Sequence, residues 1–257
     1  MALQMSDNAQ FSPPPSLSGL IRSGPVALFL DFDGTLVPIA DQPDAIRVPS
    51  DMAERLLVLA DRLKGRLALV TGRALDDLER HTGSLEVARA GSHGVLRMLA
   101  DGSRLGDEPE DIPPAARESL RVFAAENGLS LESKSHGAAV HYRGHEELEG
   151  RIVAFAKELA ERHDLNVTRG KCVVEIVRPG ADKGGAVAAF MAHPDFAGAR
   201  PIFIGDDVTD EDGFAGVAAF DGLSILVGDR EGSAATHRLS SVEEVHSWLD
   251  LGCRGES

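Results

Sequence analysis

The sequence predicts an α/β protein in which a parallel-sheet core is interrupted by a smaller α/β insert. Three observations carry that expectation. Short, wholly apolar runs recur at residues 26–30, 67–70 and 201–204, as suits strands buried on both faces of a covered sheet. Helix-like stretches separate them, the alternation that builds parallel sheets. Between about Leu105 and Gly180 the rhythm changes, with Asp107-Glu108-Pro109 and Pro113-Pro114 marking the junction.

The 257 residues can hold one large domain or a domain with a sizeable insertion. A hydrophobic content of 43% with 26% charged residues is ordinary for a soluble globular chain. A net charge of -15 and a pI near 5.0 argue against nucleic acid or an anionic membrane as partner. They leave small phosphorylated molecules open, because a few local cations outweigh the global field. Cys172 and Cys253 match no metal-binding spacing and read as reduced thiols of a cytoplasmic protein. No apolar run approaches the length of a membrane span. The N-terminal residues lack a basic region followed by an apolar one, so no signal peptide is expected. With Pro13-Pro14-Pro15, residues 1–23 read as a flexible tail. A monomer is favoured, although nothing in the sequence fixes the oligomeric state.

Taken in order, the strand at 26–30 ends in Asp31-Phe32-Asp33-Gly34-Thr35. Ser50 is placed to cap a helix running to Lys64, with Asp51 and Glu54 in its first turn. The strand at 67–70 stops at Thr71-Gly72-Arg73; a short helix over 74–81 and a strand over 87–90 follow. The insert is expected to hold helices over 115–127 and 146–163 and β-rich stretches over 130–143 and 171–177. Lys183 then opens an alanine-rich helix, and Gly205-Asp206-Asp207 ends the strand at 201–204. A helix over 209–218, a strand over 224–227 and a capping box at Ser241 and Glu244 complete the chain.

The chemistry gathers where strands stop. Asp31 and Asp33 follow one strand, Thr71 a second, and Asp206 and Asp207 a third, while Lys183 opens a helix. In a parallel sheet all would face one crevice. Neighbouring carboxylates repel and lose hydration, so a cation or a covalent role is needed to offset them. Clustered carboxylates are ligands that Mg²⁺ takes. Thr71 and Lys183 suit phosphate oxygens, and a carboxylate can attack phosphorus. Each piece alone also fits a turn, a strand end or a solvated charge; the ordered set argues for a site.

DFDGTLV (31–37), VTGR (70–73), Lys183 and GDDVTDED (205–212) resemble the four motifs of the haloacid dehalogenase superfamily of phosphohydrolases. The resemblance implies a Rossmann-like parallel-sheet hydrolase core, residues 24–106 and 181–257, with an inserted α/β cap, residues 107–180. It implies that Asp31 is the nucleophile, Asp33 the general acid and base, and Thr71 and Lys183 the phosphoryl binders. Asp206 would ligate Mg²⁺ with Asp31 and the Asp33 carbonyl, supported by Asp207, with Asp210 a further candidate. The insert and AGSHG (90–94) are similar to trehalose-6-phosphate phosphatases, a family whose cap reads sugar hydroxyls. That likeness implies Glu132, Lys134, Arg143 and Glu175 as substrate-binding residues, and trehalose plus inorganic phosphate as products. Bottom-up, the same four also fit solvated cross-strand pairs. Gly213, where the family more often has alanine, and the spacing of Val177-Arg178-Pro179 depart from the pattern, which leaves Arg178 open as a ligand. His93 and Cys172 read as structural, and the stretches near 107–114 and 177–183 as hinges. The alternatives are a phosphatase of sucrose phosphate or mannosyl phosphoglycerate, a phosphomutase, and a non-catalytic phosphosugar sensor.

Overall fold

The computed structural model describes residues 11–40, 45–107, 110–134, 137–170 and 172–251. In chain order, α1 (Leu17–Ser23) precedes β1 (Val26–Leu30), α2 (Met52–Arg62), β2 (Leu67–Val70), α3 (Leu75–Thr82), β3 (Ala88–Gly91) and β4 (Leu96–Met98). Then come α4 (Pro114–Glu126), β5 (Ser130–Lys134), β6 (Gly137–His141), α5 (Glu149–His163), β7 (Asn166–Gly170) and β8 (Val173–Val177). The first pattern resumes with α6 (Lys183–Ala192), β9 (Arg200–Gly205), α7 (Asp210–Ala218), β10 (Leu223–Val227), β11 (His237–Leu239) and α8 (Val242–Leu249).

Seven strands form one sheet in the order β11-β10-β9-β1-β2-β3-β4. All neighbours are parallel except β3 and β4. The chain moves outward from β1 through β2 and β3, then returns to the other side of β1 with β9. Strand order therefore reverses between β1 and β9, where the loops at the carboxyl ends part and leave a crevice. The β1–β9 register pairs Leu30 with Ile204, so Asp31 and the Gly205-Asp206 turn emerge side by side. The Asp31 amide donates to the Ile204 carbonyl at 2.9 Å, which fixes the start of that loop.

The unbroken apolar run of β1 has a simple cause: both of its faces are buried. Val26, Leu28 and Leu30 join a core with Leu17, Leu56, Leu59 and Val245. Ala27 and Phe29 point into a second core with Phe190, Phe203 and Phe214. Phe29 lies 6.1 Å from Phe190 and 6.0 Å from Phe196, centroid to centroid.

The second sheet is antiparallel, in the order β5-β6-β8-β7. Helices α4 and α5 pack on the face that carries Val140, Val174 and Ile176, and Phe123 stacks on Phe155 at 4.1 Å. The register sets Glu132 opposite Ala139, Ala139 opposite Glu175 and Glu175 opposite Thr168. These four lie in one row on the face turned away from the helices.

Several elements differ from expectation. Of the expected tail, residues 11–23 are folded: Phe11 packs on the second core, Ser12 bridges His237 in parallel, and Trp248 Nε1 donates to the Pro15 carbonyl at 2.9 Å. Helix α1 is capped by Ser16 and anchored by Leu17, which is 1% exposed. The N-cap of α2 is Asp51 rather than Ser50, and Asp51 pairs with Arg55 at 2.8 Å. In the final capping box, Ser241 accepts the Glu244 amide, whereas the Glu244 carboxylate takes the amide of Ser240. Strands β4, β7 and β11 are edge strands with little buried apolar surface, so alternation did not reveal them. Residues 1–10, Glu108, Pro109 and Cys253 lie outside the described residues.

Candidate active site

Asp31 leaves β1 with its carboxylate buried and meets Lys183, the first residue of α6. Lys183 Nζ donates to Asp31 Oδ1 and to Asp210 Oδ1, each at 2.6 Å. Helix α6 starts here because Asp182 caps it, accepting the Gly185 amide at 2.7 Å. Burial works against the Lys183 ammonium, yet Asp210 and Asp31 together outweigh it and raise its pKa above the ordinary lysine value. Burial pushes the Asp31 carboxyl well up; Lys183 opposes that, while Asp210 and Asp206 add to it. Burial, with Asp210 and Asp207 nearby, pushes Asp206 up to about 7. Three crowded carboxylates thus share one ammonium, and the site is short of positive charge.

Asp31, Asp206 and Asp210 each present an oxygen, and these atoms all lie within 4.8 Å of one another. Asp206 Oδ1 is buried and has no hydrogen-bond partner among the described residues. Gly34 (φ +83°) lets the loops come this close: a Cβ there would lie 2.2 Å from Asp206 Oδ2. An orphaned buried carboxylate oxygen beside two more fits a hard cation such as Mg²⁺. The Asp207 side chain stands apart from this cluster; its Oδ1 accepts the amide of Val208 at 2.7 Å. Asp210, four residues beyond Asp206, completes the trio instead.

Asp33 turns toward Arg73. The guanidinium grips its carboxylate at both oxygens, Nε–Oδ2 at 2.6 Å and Nη2–Oδ1 at 2.7 Å, and also holds Asp77 Oδ2 at 2.6 Å. The pKa of Arg73 is raised, first by Asp33. The side chain of Asp33 is therefore not directed at the carboxylate trio. Thr71 is fully buried, and its hydroxyl oxygen accepts the Arg73 amide at 3.1 Å. The His93 amide donates to the Thr71 carbonyl at 2.9 Å, and its ring lies on Gly72, where a Cβ would meet it at 2.6 Å.

A cavity of about 520 Å³ opens over this constellation, lined by Asp31, Asp33, Arg73, His93, Lys183 and, from beyond β6, Arg143. Of the residues expected to read the sugar, Arg143 thus reaches the cavity. Glu132 and Glu175 share the face of the second sheet turned away from its helices but do not line the cavity; Glu132 pairs with His141 Nε2 at 2.9 Å, and Glu175 is buried. The Lys134 side chain lies outside the described residues. Arg178, left open as a ligand, holds the Asp111 carbonyl with Nε and Nη2 at 3.0 and 2.8 Å, bracing the two connections between the sheets. Gly213 is explained by packing, since a Cβ there would sit 2.5 Å from the Phe203 ring. Sequence reasoning assigned no role to Arg73, although it stands in VTGR, and the i, i+4 spacing of Asp206 and Asp210 was the available signal for the trio.

Residues 29–245 match the family model described as trehalose-phosphatase. The chain belongs to the trehalose-phosphatase family. Among the family's members, the trehalose-6-phosphate phosphatase of Escherichia coli K12 is 36% identical over 232 residues, covering 89% of this chain and 87% of its own length. A probable trehalose-phosphate phosphatase of Sinorhizobium fredii is 40% identical over 205 residues, covering 79% and 77%. The family fold recurs in the C-terminal domain of a C. albicans trehalose-6-phosphate phosphatase, at 22% identity with a TM-score of 0.73, over 94% of this chain and 97% of that one. The same fold, a Rossmann-like core with a cap, recurs in BT1666 of Bacteroides thetaiotaomicron, a phosphatase of the haloalkanoate enzyme superfamily, at 17% identity with a TM-score of 0.67, over 88% of this chain and 93% of that one. No helix among the described residues is long and apolar enough to cross a membrane.

Proposed function

We propose that this trehalose-phosphatase family member is a Mg²⁺-dependent phosphoric monoester hydrolase converting trehalose 6-phosphate to trehalose and inorganic phosphate. The observation that carries the reading is the placement of Asp31, Lys183, Asp206 and Asp210 at the β1–β9 switch point, with Asp33 two residues along the same loop. Residues 24–106 and 181–257 form the catalytic core, and 107–180 the cap.

The phosphate enters the cavity between the two sheets, where Thr71 and Lys183 hold its oxygens. Asp31 attacks phosphorus as the bond to the sugar 6-oxygen breaks, and Asp33 gives that oxygen its proton. Asp33 then takes a proton from the water that attacks the aspartyl-phosphate, which releases phosphate and restores the Asp31 carboxylate. Arg73 holds Asp33 in place until substrate arrives, with Asp77 as a second anion on which to stay. Asp31, Asp206, Asp210 and the Asp33 carbonyl would hold Mg²⁺, which would supply positive charge against the phosphoryl oxygens. On the cap, Arg143 donates to sugar hydroxyls, and cap closure brings Glu132 and Glu175 to accept from them. Closure of the cap shuts out bulk water.

The test is phosphate release from trehalose 6-phosphate, glucose 6-phosphate and sucrose phosphate, with and without Mg²⁺. Trehalose 6-phosphate is expected to be turned over fastest, and only with the metal. Equal rates on glucose 6-phosphate would sink the disaccharide assignment.

A further inference from the structure

Arg230 lies in the loop between β10 and β11, outside every motif singled out in the sequence and away from the cavity lining. Its Nε donates to the Asp206 carbonyl and its Nη2 to the Asp207 carbonyl, each at 3.3 Å. The same guanidinium pairs with the Glu211 carboxylate in the first turn of α7. Glu211 is tied back in turn, its Oε2 accepting the Ala234 amide at 2.9 Å. From the opposite side, Asp210 Oδ2 accepts the amides of Asp206 and Asp207, both at 2.9 Å. Gly205 leaves no play behind that carboxylate, since a Cβ there would lie 2.2 Å from Asp210 Cγ.

The turn that bears Asp206 is therefore gripped at its N–H groups by an anion and at its carbonyls by a cation. Both grips point the peptide dipoles the same way and fix the direction in which the Asp206 carboxylate leaves the chain. Arg230 also brings a second positive charge to a loop that carries Asp206, Asp207, Asp210 and Glu211. Lys183 neutralises the inner side of that loop and Arg230 its outer side.

We infer that Arg230 is a positioning residue for the divalent-cation site: it presets Asp206 so that its orphaned Oδ1 faces the ion. The inference rests on the Mg²⁺ reading proposed above. Partners of this kind set metal affinity more than the chemical step, because they orient a ligand without touching substrate.

The experiment uses the full chain, with Mg²⁺ affinity measured by calorimetry and by the metal-induced rise in Tm, beside kcat at saturating Mg²⁺. Arg230→Met is expected to weaken Mg²⁺ binding by about ten-fold or more, and to shrink the metal-induced rise in Tm. Arg230→Lys, which keeps the charge and loses the fork, should lie between that variant and wild type. At saturating Mg²⁺ the kcat of both should return to within about two-fold of wild type. Wild-type Mg²⁺ affinity in both variants overturns the inference, as does a kcat loss that saturating metal leaves in place. If Arg230→Met does not fold, Arg230→Lys decides alone: unchanged affinity there refutes a role for the forked contact. Absence of Mg²⁺ binding in the wild-type chain overturns the metal site itself, and Arg230's role with it, which separates the two failures.

Discussion

Asp33 and Arg73 form a two-pronged ion pair across the mouth of the site, Nε–Oδ2 at 2.6 Å and Nη2–Oδ1 at 2.7 Å. Arg73 is 9% exposed and Asp33 33%, so the pair sits at the boundary between protein and cavity. In the proposed mechanism Asp33, oriented but engaged by Arg73, must change partner to serve the departing sugar oxygen. Arg73→Met should therefore lower kcat/KM for trehalose 6-phosphate by about ten-fold or more, and much less for an aryl phosphate whose leaving group needs no proton. Parallel kcat/KM measurements on the two substrates check this; equal losses on both would remove Arg73 from the proton-transfer step.

Gly34 is where the backbone of the loop after β1 meets the Asp206 carboxylate from the neighbouring strand β9. Its φ of +83° and the 2.2 Å approach of a virtual Cβ to Asp206 Oδ2 leave room for hydrogen alone. Gly34→Ala should push Asp206 out of the trio and cost about 10²-fold in kcat, since small misplacements of a reacting constellation are that costly. Steady-state assays, with circular dichroism to show the fold intact, check the prediction.

The crowded carboxylates give the metal-free chain a signed pH dependence. Asp206 has a folded-state pKa of about 7 against an ordinary 3.8. The folded chain then binds that proton more tightly than the unfolded chain. Its contribution to stability is full below the ordinary value and is lost as pH rises through about 7. Mg²⁺ binds the ionised form, so the rise in Tm on adding Mg²⁺ should be larger at pH 8 than at pH 5.5. Thermal scans at both values test it, and a rise that shrinks toward high pH would contradict the proposed site.

The core was legible because its strands are buried on both faces and stop at chemically unusual residues. Asp31, Thr71 and Asp206 stand where strands stop and Lys183 where a helix starts, and parallel topology brings those ends together. What the sequence concealed was geometry that depends on side-chain direction. Asp33 and Asp207 carry the same carboxylate as Asp31 and Asp206, yet one turns to Arg73 and the other to the amide of Val208. Strand β7 was invisible because Asn166, Thr168 and Arg169 suit an exposed edge as well as a loop. The stretch 11–23 was hidden by its prolines, although Leu17, Leu20 and Ile21 have helical spacing behind a capping Ser16.

That last element yields its own prediction. Leu17 is 1% exposed in the core shared with β1 and α8. Leu17→Ala should lower unfolding stability by about 2–5 kcal/mol, the usual cost of emptying a buried leucine site, while kcat at 25 °C stays near wild type. Urea unfolding measures the first and steady-state assay the second; an unchanged midpoint would mean that the segment is not part of the cooperative fold.

The attack by Asp31 is tested most directly by trapping its product. In Asp33→Asn the base for the second step is gone, and an aryl phosphate needs no acid in the first, so the covalent intermediate should accumulate. Acid quench followed by peptide mass mapping should find a phosphoryl group on Asp31, with a burst of phenol that matches the enzyme concentration. A phosphoryl group on another residue, or none at any quench time while turnover proceeds, would contradict the mechanism.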